Sequence, residues 1–141
     1  MELQYLGTAA AEGWPALFCN CRICRHARET RGKELRTRTQ SLVDGKILID
    51  FPPDTYTHAL NYGLELGKVQ HLLVTHSHMD HFFPVELIHR HEHFGHHAEG
   101  MLHVYGNEAV EQAFYGAVLI DRFRVHPLDE AVKFVRLEPF G

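Results

Sequence analysis

Thr75-His76-Ser77-His78-Met79-Asp80-His81 is the stretch of sequence that decides the fold, because it places three imidazoles and one carboxylate within six positions. An apolar run over residues 71–75 comes directly before it and predicts a short buried strand. Several metal-ligating side chains in the turn after a buried strand indicate a metal centre at the edge of a sheet. The alternative is a histidine-rich surface turn, which suits isolated histidines better than this pattern.

The spacing of these side chains predicts how they share metal ions. In a turn that leaves a strand, side chains two positions apart can point the same way, so we expect His76 and His78 to share one ion. Asp80 and His81 fall on the next bend and can serve a second ion. Imidazole nitrogen and carboxylate oxygen suit zinc, manganese, nickel or iron. Two neighbouring divalent ions make water reactive and stabilise a displacement, so the motif predicts a hydrolase.

The rest of the chain alternates strand and helix signals, which indicates an α/β layered fold. Asp44-Gly45 between apolar runs predicts a β-hairpin with a tight turn. Asp54 is placed to cap a helix for which Gly67 provides the stop, and Pro84 suits the first turn of another helix. The predicted strands are 2–6, 41–43, 46–50, 71–75, 102–105 and 131–137, and the predicted helices are 54–66, 84–94 and 107–119.

All three cysteines, Cys19, Cys21 and Cys24, lie within six positions. Three thiolates at this spacing suit a structural zinc site in a reducing compartment better than a disulfide framework. A fourth ligand is needed, and either nearby His26 or a residue distant in the chain can supply it. A set of free thiols in a loop is the alternative interpretation.

Composition limits the classes of function. The 141 residues are 45% hydrophobic and 23% charged, with a formal charge of −4, so polynucleotide binding is disfavoured. Residues 25–38 are rich in arginine, which indicates either a solvated helix or loop, or a patch that attracts a phosphate-bearing substrate. With neither a secretory signal nor a membrane-spanning run recognised, a cytoplasmic location is the prediction.

The Thr-His-x-His-x-Asp-His pattern after a buried strand resembles the defining motif of the metallo-β-lactamase superfamily. The resemblance implies an αββα sandwich in which His76 and His78 bind the first metal ion. Asp80 and His81 bind the second and act as catalytic residues. Asp50 matches an upstream aspartate that, together with Thr75, orients the motif loop by hydrogen bonding; taken alone, Asp50 is equally a turn or helix-entry residue.

The opening stretch, Leu6-Gly7-Thr8-Ala9-Ala10-Ala11-Glu12-Gly13-Trp14-Pro15, together with the cysteine cluster, is similar to one branch of that superfamily. This branch contains the phosphoribosyl cyclic phosphodiesterase of phosphonate breakdown. The resemblance implies two catalytic ions (zinc, manganese or nickel), one structural zinc at the cysteines, and attack on a small cyclic or nucleotide-like phosphodiester by hydroxide that the ions generate from water. The alternatives are a non-catalytic protein of the pyrroloquinoline quinone B type and a transfer RNA 3′-end processing nuclease.

The resemblance covers only the N-terminal half of such a domain, with residues 14–38 as a cysteine-bearing insertion. We therefore expect residues 1–141 to be an incomplete domain, from a truncated or partial product, which is poorly active alone. Its exposed half-domain surface is expected to favour a homo-oligomer. His103 and His126 are the available substitutes for the later ligands, although a surface or core position suits them better. A solvated helix face is the interpretation for His89, His91, His93, His96 and His97.

Overall fold

The computed structural model describes residues 1–120 and 128–139. These residues form one six-stranded sheet in which spatial order follows chain order. The first three strands are antiparallel, whereas β3, β4, β5 and β6 run parallel. The strands are β1 (Leu3–Gly7), β2 (Gln40–Val43), β3 (Ile47–Ile49), β4 (His71–Leu73), β5 (Leu102–Gly106) and β6 (Val132–Arg136). The α/β layered prediction is confirmed.

Helices connect the strands, as parallel pairing requires. They are α1 (Arg22–Thr30), α2 (Thr55–Tyr62) and α3 (Glu108–Ile120), and short 3₁₀ segments cover Gly32–Glu34, Leu66–Lys68, Pro84–Arg90 and Leu128–Glu130. In the part of the chain that the structure describes, no helix has the length and apolar character needed to cross a membrane.

One face of the sheet carries the core. Leu72 and Val104 are fully buried at neighbouring positions on β4 and β5. Val110 and Phe114 of α3 belong to the same apolar cluster, as does Leu87 of the 3₁₀ segment. Successive side chains of a strand point to opposite sides of the sheet, so Leu72 and Val104 lie on the same face.

The other side, which we call the open face, carries the remaining strand side chains. Tyr5 is 64% exposed, Leu3 is 46% exposed and Leu73 is 38% exposed. The strand pairing places His71 beside His103 on this face, and their rings stack with centroids 6.0 Å apart. The sheet therefore has one packed side and one partly apolar side that meets solvent.

The helix after the hairpin differs from its predicted limits. It ends at Tyr62 rather than near residue 66, because Gly63 adopts the left-handed conformation with a φ of 63°. Gly67 lies within the following 3₁₀ segment and does not end the helix. Asp54 does stand at the N-cap position, but its carboxylate makes no cap hydrogen bond. It accepts instead from the backbone N–H and the guanidinium of Arg38.

The predicted helix over residues 84–94 is also wrong in type and length. Pro84 does begin it, but the segment is a 3₁₀ helix that ends at Arg90. Histidines spaced four apart therefore do not share one α-helical face. His91 is buried rather than solvated, and its Nε2 lies 3.2 Å from a Glu130 carboxylate oxygen. His126 lies outside the described residues.

The hairpin and the later elements follow the sequence predictions closely. Asp44 and Gly45 both have positive φ, of 49° and 65°, at the tight turn between β2 and β3. The cysteine region differs in one respect: α1 begins at Arg22, so Cys24 lies in its first turn rather than in a loop.

Candidate metal centre

The motif loop leaves β4 and is tied by its backbone to the chain that leaves β3. Phe51 N–H donates to the His81 carbonyl, and Phe83 N–H donates to the Phe51 carbonyl, each at 2.7 Å. Because β3 and β4 are parallel neighbours, both chains emerge at the same edge of the sheet. The ladder between them holds Asp50 against the loop that carries the histidines.

Asp50 fastens the loop with its side chain. Its carboxylate accepts from Thr75 N–H at 2.8 Å, from the Thr75 hydroxyl at 2.9 Å and from His81 Nδ1–H at 2.7 Å. The residue is 3% exposed and has a positive φ of 64°, which aspartate tolerates better than most residues do. A buried carboxylate with three donors is fully satisfied, so its geometry is well defined.

These bonds determine where the imidazole protons lie. Since Asp50 is an acceptor, His81 carries its proton on Nδ1, and a neutral ring keeps a lone pair at Nε2. The Thr75 hydroxyl gives its single hydrogen to Asp50, so it can accept at 3.1 Å from His76 Nδ1–H. His76 then also keeps a lone pair at Nε2. Both rings are prepared to bind a cation through Nε2.

Asp80 faces the other side of the His81 ring. Its Oδ2 lies 3.3 Å from His81 Nε2. Two acceptors at this separation need a cation between them, either a second proton on the ring or a metal ion. Ligand atoms about 2.05 Å from a tetrahedral zinc are roughly 3.3 Å apart, so the pair fits a shared ion without rearrangement.

The remaining motif histidine completes the cluster. The ring centroid of His76 lies 4.8 Å from that of His78 and 4.0 Å from that of His81. The structure therefore brings all three imidazoles and the Asp80 carboxylate to one bend. Within residues 1–120 and 128–139, the three cysteines are the group of three or more ligand-bearing residues that is close enough to hold one ion, and the motif residues do not form such a group.

A buried polar network, which the sequence pattern does not predict, contacts the backbone of Asp50. The Gln40 amide donates to the Asp50 carbonyl at 2.9 Å and to the Thr55 hydroxyl at 3.0 Å. Its oxygen accepts from His58 Nδ1–H, and His58 Nε2 accepts from the Thr37 hydroxyl at 2.7 Å. A neutral His58 satisfies both contacts, and burial lowers its pKa. Hydrogen-bond partners that lie 10 to 21 positions apart leave no local sequence signal.

The cysteines form a second candidate site at the start of α1. Their sulfur atoms lie within 4.8 Å of one another, and tetrahedral zinc thiolates are about 3.8 Å apart, so a small adjustment suits zinc. Cys21 occupies the N-cap and its sulfur accepts from Cys24 N–H at 3.4 Å. That backbone bond, with side-chain hydrogen bonds to Cys19 and Cys24, lowers the pKa of Cys21 to about 7. A lowered thiol pKa favours the thiolate that metals bind.

His103 does not join the motif. It pairs with His71 at the start of β4, whereas the motif leaves the end of that strand, roughly 13 Å further along at about 3.3 Å per residue. His26 contacts the Thr30 hydroxyl through either ring nitrogen, at 3.3–3.5 Å, and is not part of the three-sulfur group. Neither histidine is placed as an additional ligand of its neighbouring site.

Solved structures with a similar fold have related architectures. A diphosphatase of the PhnP family matches with a TM-score of 0.70 and 23% identity, over 96% of this chain and 50% of that one. Zinc-bound PqqB from Methylobacterium extorquens matches with a TM-score of 0.72 and 22% identity, over 97% and 46%. The short form of human tRNase Z matches with a TM-score of 0.64 and 19% identity, over 99% and 45%.

Sequence comparison adds one relative. An octanoyltransferase from Porphyromonas gingivalis is 36% identical over 83 residues, which are 57% of this chain and 16% of that protein. No protein-family model matches the sequence. The chain thus spans about half of the similar structures and a small part of this relative. Its architecture matches about half of a metallo-β-lactamase fold, as the motif resemblance implied.

Proposed function

We propose that this chain carries the metal-binding half of a hydrolase that cleaves phosphodiesters in small cyclic or nucleotide-like substrates. The observation that carries the proposal is the position of the His81 ring between two carboxylates, with Asp50 bonded to Nδ1 and Asp80 3.3 Å from Nε2. A structural histidine needs one such partner. Here Asp50 holds the His81 ring through Nδ1, while Nε2 faces the Asp80 carboxylate. His81 and Asp80 are therefore arranged to bind one cation together.

Each motif residue has a part in this proposal. His76 and His78 would hold the first ion, and Asp80 and His81 the second, which makes the latter two the catalytic pair. Divalent zinc, manganese or nickel, when bound, acidifies water and stabilises charge developing on a phosphoryl group. Asp50 keeps the His81 lone pair directed outward throughout, so the site is organised before substrate arrives.

The substrate class rests on chemistry and charge. Two proteins of similar fold are described as a diphosphatase and a tRNase, and both descriptions concern phosphate-containing compounds. In residues 25–38, Arg28 donates to the Ala16 carbonyl and Arg38 binds Asp54, while Arg25, Arg31, Lys33 and Arg36 are exposed. A local group of cations on a chain with a formal charge of −4 suits a small anion better than a long polyanion.

Two alternatives remain open to experiment. A non-catalytic role in cofactor biosynthesis is supported by the similarity to PqqB, and transfer RNA 3′-end processing by the similarity to tRNase Z. The match to the octanoyltransferase covers only 16% of that protein, so acyl transfer is a weaker candidate.

The cysteine cluster is proposed to hold one structural zinc. Cys19, Cys21 and Cys24 supply three sulfur ligands, and a fourth ligand completes the site. Free thiols suit a reducing compartment, so the proposal includes a cytoplasmic location.

Activity of the 141-residue chain alone is expected to be low, but above the rate of the same metal ions in buffer. Each ion has two proposed ligands here, whereas catalytic zinc sites usually have three protein ligands. Weak retention of the ions then limits hydrolysis. Hydrolysis by this chain at a rate typical of enzymes would contradict this expectation.

The experiment combines metal counting with hydrolysis of bis-p-nitrophenyl phosphate and a 2′,3′-cyclic nucleotide. The chain is loaded with one equivalent of zinc and titrated with manganese or nickel. His78→Gln is expected to lose metal at the motif and reduce hydrolysis to the rate of metal in buffer. His96→Gln, an exposed control, should change neither. Equal hydrolysis by both variants would reject the enzyme proposal, and His78-dependent metal binding without hydrolysis would favour the PqqB-type role.

The open face is proposed to pack against a second copy of the chain. Six strands about 4.8 Å apart span roughly 24 Å from first to last, which is wide enough for a sheet-on-sheet interface. Tyr5 and Leu73 expose apolar surface there. Sedimentation of the wild type should detect a dimer that Leu73→Lys weakens, while Leu60→Lys on α2 should not. A monomer at all concentrations would reject this partner.

A further inference from the structure

A cavity of about 220 Å³ lies between the packed side of the sheet and residues 84–98. The strands contribute Leu48 and Leu72, and the facing segment contributes Leu87. All three are nearly or fully buried, so most of the wall is apolar; its titratable members are Glu86, His89 and Arg90. The space is separate from the Cys19, Cys21, Cys24 cluster and from the histidine motif, and none of those side chains lines it.

The cavity exists because small residues stand where larger ones would fill the space. Gly67, Gly95 and Ala98 all belong to its wall. A Cβ atom at Gly95 would come within 2.6 Å of the His89 carbonyl, so that position accepts no side chain. Ala98 adds only a methyl group. The backbone thus maintains a gap that ordinary core packing would close.

Arg90 gives the apolar wall a cationic group. Its two terminal nitrogens donate to the carbonyls of Leu66, Gly67, Glu99 and Gly100 at 3.1–3.5 Å. Its Nε is buried and has no hydrogen-bond partner among the described residues. Nor does Arg90 form an ion pair in that part of the chain. Burial lowers the pKa of Arg90, which reflects the cost of a desolvated charge without a counterion.

We propose that this cavity binds a small monocarboxylate with a short apolar tail, its carboxylate beside Arg90 and its tail among Leu48, Leu72 and Leu87. A carboxylate supplies both the acceptor that Nε lacks and the negative charge that the guanidinium lacks. A 150 Å³ apolar cavity holds benzene, so about 220 Å³ holds roughly nine non-hydrogen atoms. Hexanoate and benzoate are in this size range. The site is independent of the proposed hydrolase function.

The test compares hexanoate with 1-hexanol on the whole chain, by calorimetry and by NMR contacts to leucine methyl groups. Hexanoate should bind with a Kd of about 1 mM or tighter, and 1-hexanol about tenfold or more weakly. Contacts should appear at Leu48 and Leu72. No binding of hexanoate or benzoate to the folded chain would overturn the proposal, and equal binding of acid and alcohol would overturn the role of Arg90.

Variants test the location. Ala98→Leu should fill the gap and reduce hexanoate binding at least about tenfold, while Ala109→Leu, on the exposed surface of α3, should not. Arg90→Gln should reduce the preference for the acid over the alcohol, with Arg25→Gln as the matched control. Binding that survives Ala98→Leu would place the site elsewhere. If Arg90→Gln does not fold, the acid–alcohol comparison on the unmodified chain still decides.

Discussion

Replacing Asp50 by asparagine tests how the motif loop is held. Asparagine keeps the shape and tolerates the positive φ of 64°, so the backbone should not change. Its carbonyl oxygen can still accept from Thr75, but an NH₂ group replaces the oxygen that accepts from His81 Nδ1–H. Two donors then face each other, unless His81 moves its proton to Nε2.

The magnitude follows from the three hydrogen bonds that the carboxylate accepts. Bonds to a charged group contribute about 1.5–3 kcal/mol each, and neutral ones about 1 kcal/mol. Asp50→Asn turns three charged bonds into neutral ones, and is therefore expected to lower the free energy of unfolding by about 1.5–6 kcal/mol. The change of His81 tautomer also removes the lone pair at Nε2. Metal affinity at the motif should fall about 10–100-fold, as for other residues that orient metal ligands.

Three measurements check this expectation. Urea denaturation gives the free energy of unfolding, calorimetry with manganese or nickel gives metal affinity, and long-range ¹H–¹⁵N spectra identify the protonated nitrogen of His81. Asp129→Asn, at an exposed aspartate, is the control. This role of Asp50 is refuted if His81 keeps its Nδ1 proton in the variant, or if stability and metal affinity match those of the control.

Further predictions concern the buried network, the helix ends and the cysteines. Burial lowers the pKa of His58, so as the pH falls the unfolded chain binds a proton at His58 before the folded chain does. The free energy of unfolding should therefore decrease below about pH 6.5, by up to about 1.4 kcal/mol per pH unit. In urea titrations, His58→Gln should make this part of the pH profile flatter than it is in the control His96→Gln. Gly63→Ala should destabilise the protein by about 1 kcal/mol, because Gly63 has a positive φ. Gly116→Ala, where an added Cβ meets nothing, should stabilise it by about 0.5–1 kcal/mol. Thermal unfolding that shifts in the same direction for both variants would contradict this. Cys24→Ser should lower zinc content by about one ion per chain in elemental analysis, and unchanged zinc would exclude the cysteine site.

Much of the fold was readable from local sequence. The alternating strand and helix signals, the Asp44-Gly45 turn and the strand before the motif all depend on neighbours within a few residues. The same holds for the crowding of His76, His78 and His81, because one short bend carries all three. Hydrophobic periodicity and turn-forming residues determine structure over a few residues, so these features can be predicted from a single sequence.

Features that depend on distant partners were decided only by the tertiary structure. Asp54 has the position of a helix cap, but Arg38, sixteen residues earlier, takes its carboxylate. Burial lowers the pKa of His58, and the residues that enclose its ring include Gln40 and Thr37, which belong to other parts of the chain. A polar group has many possible hydrogen-bond partners along the sequence. When the group is buried it must bind one of them, and the packing of the chain determines which one.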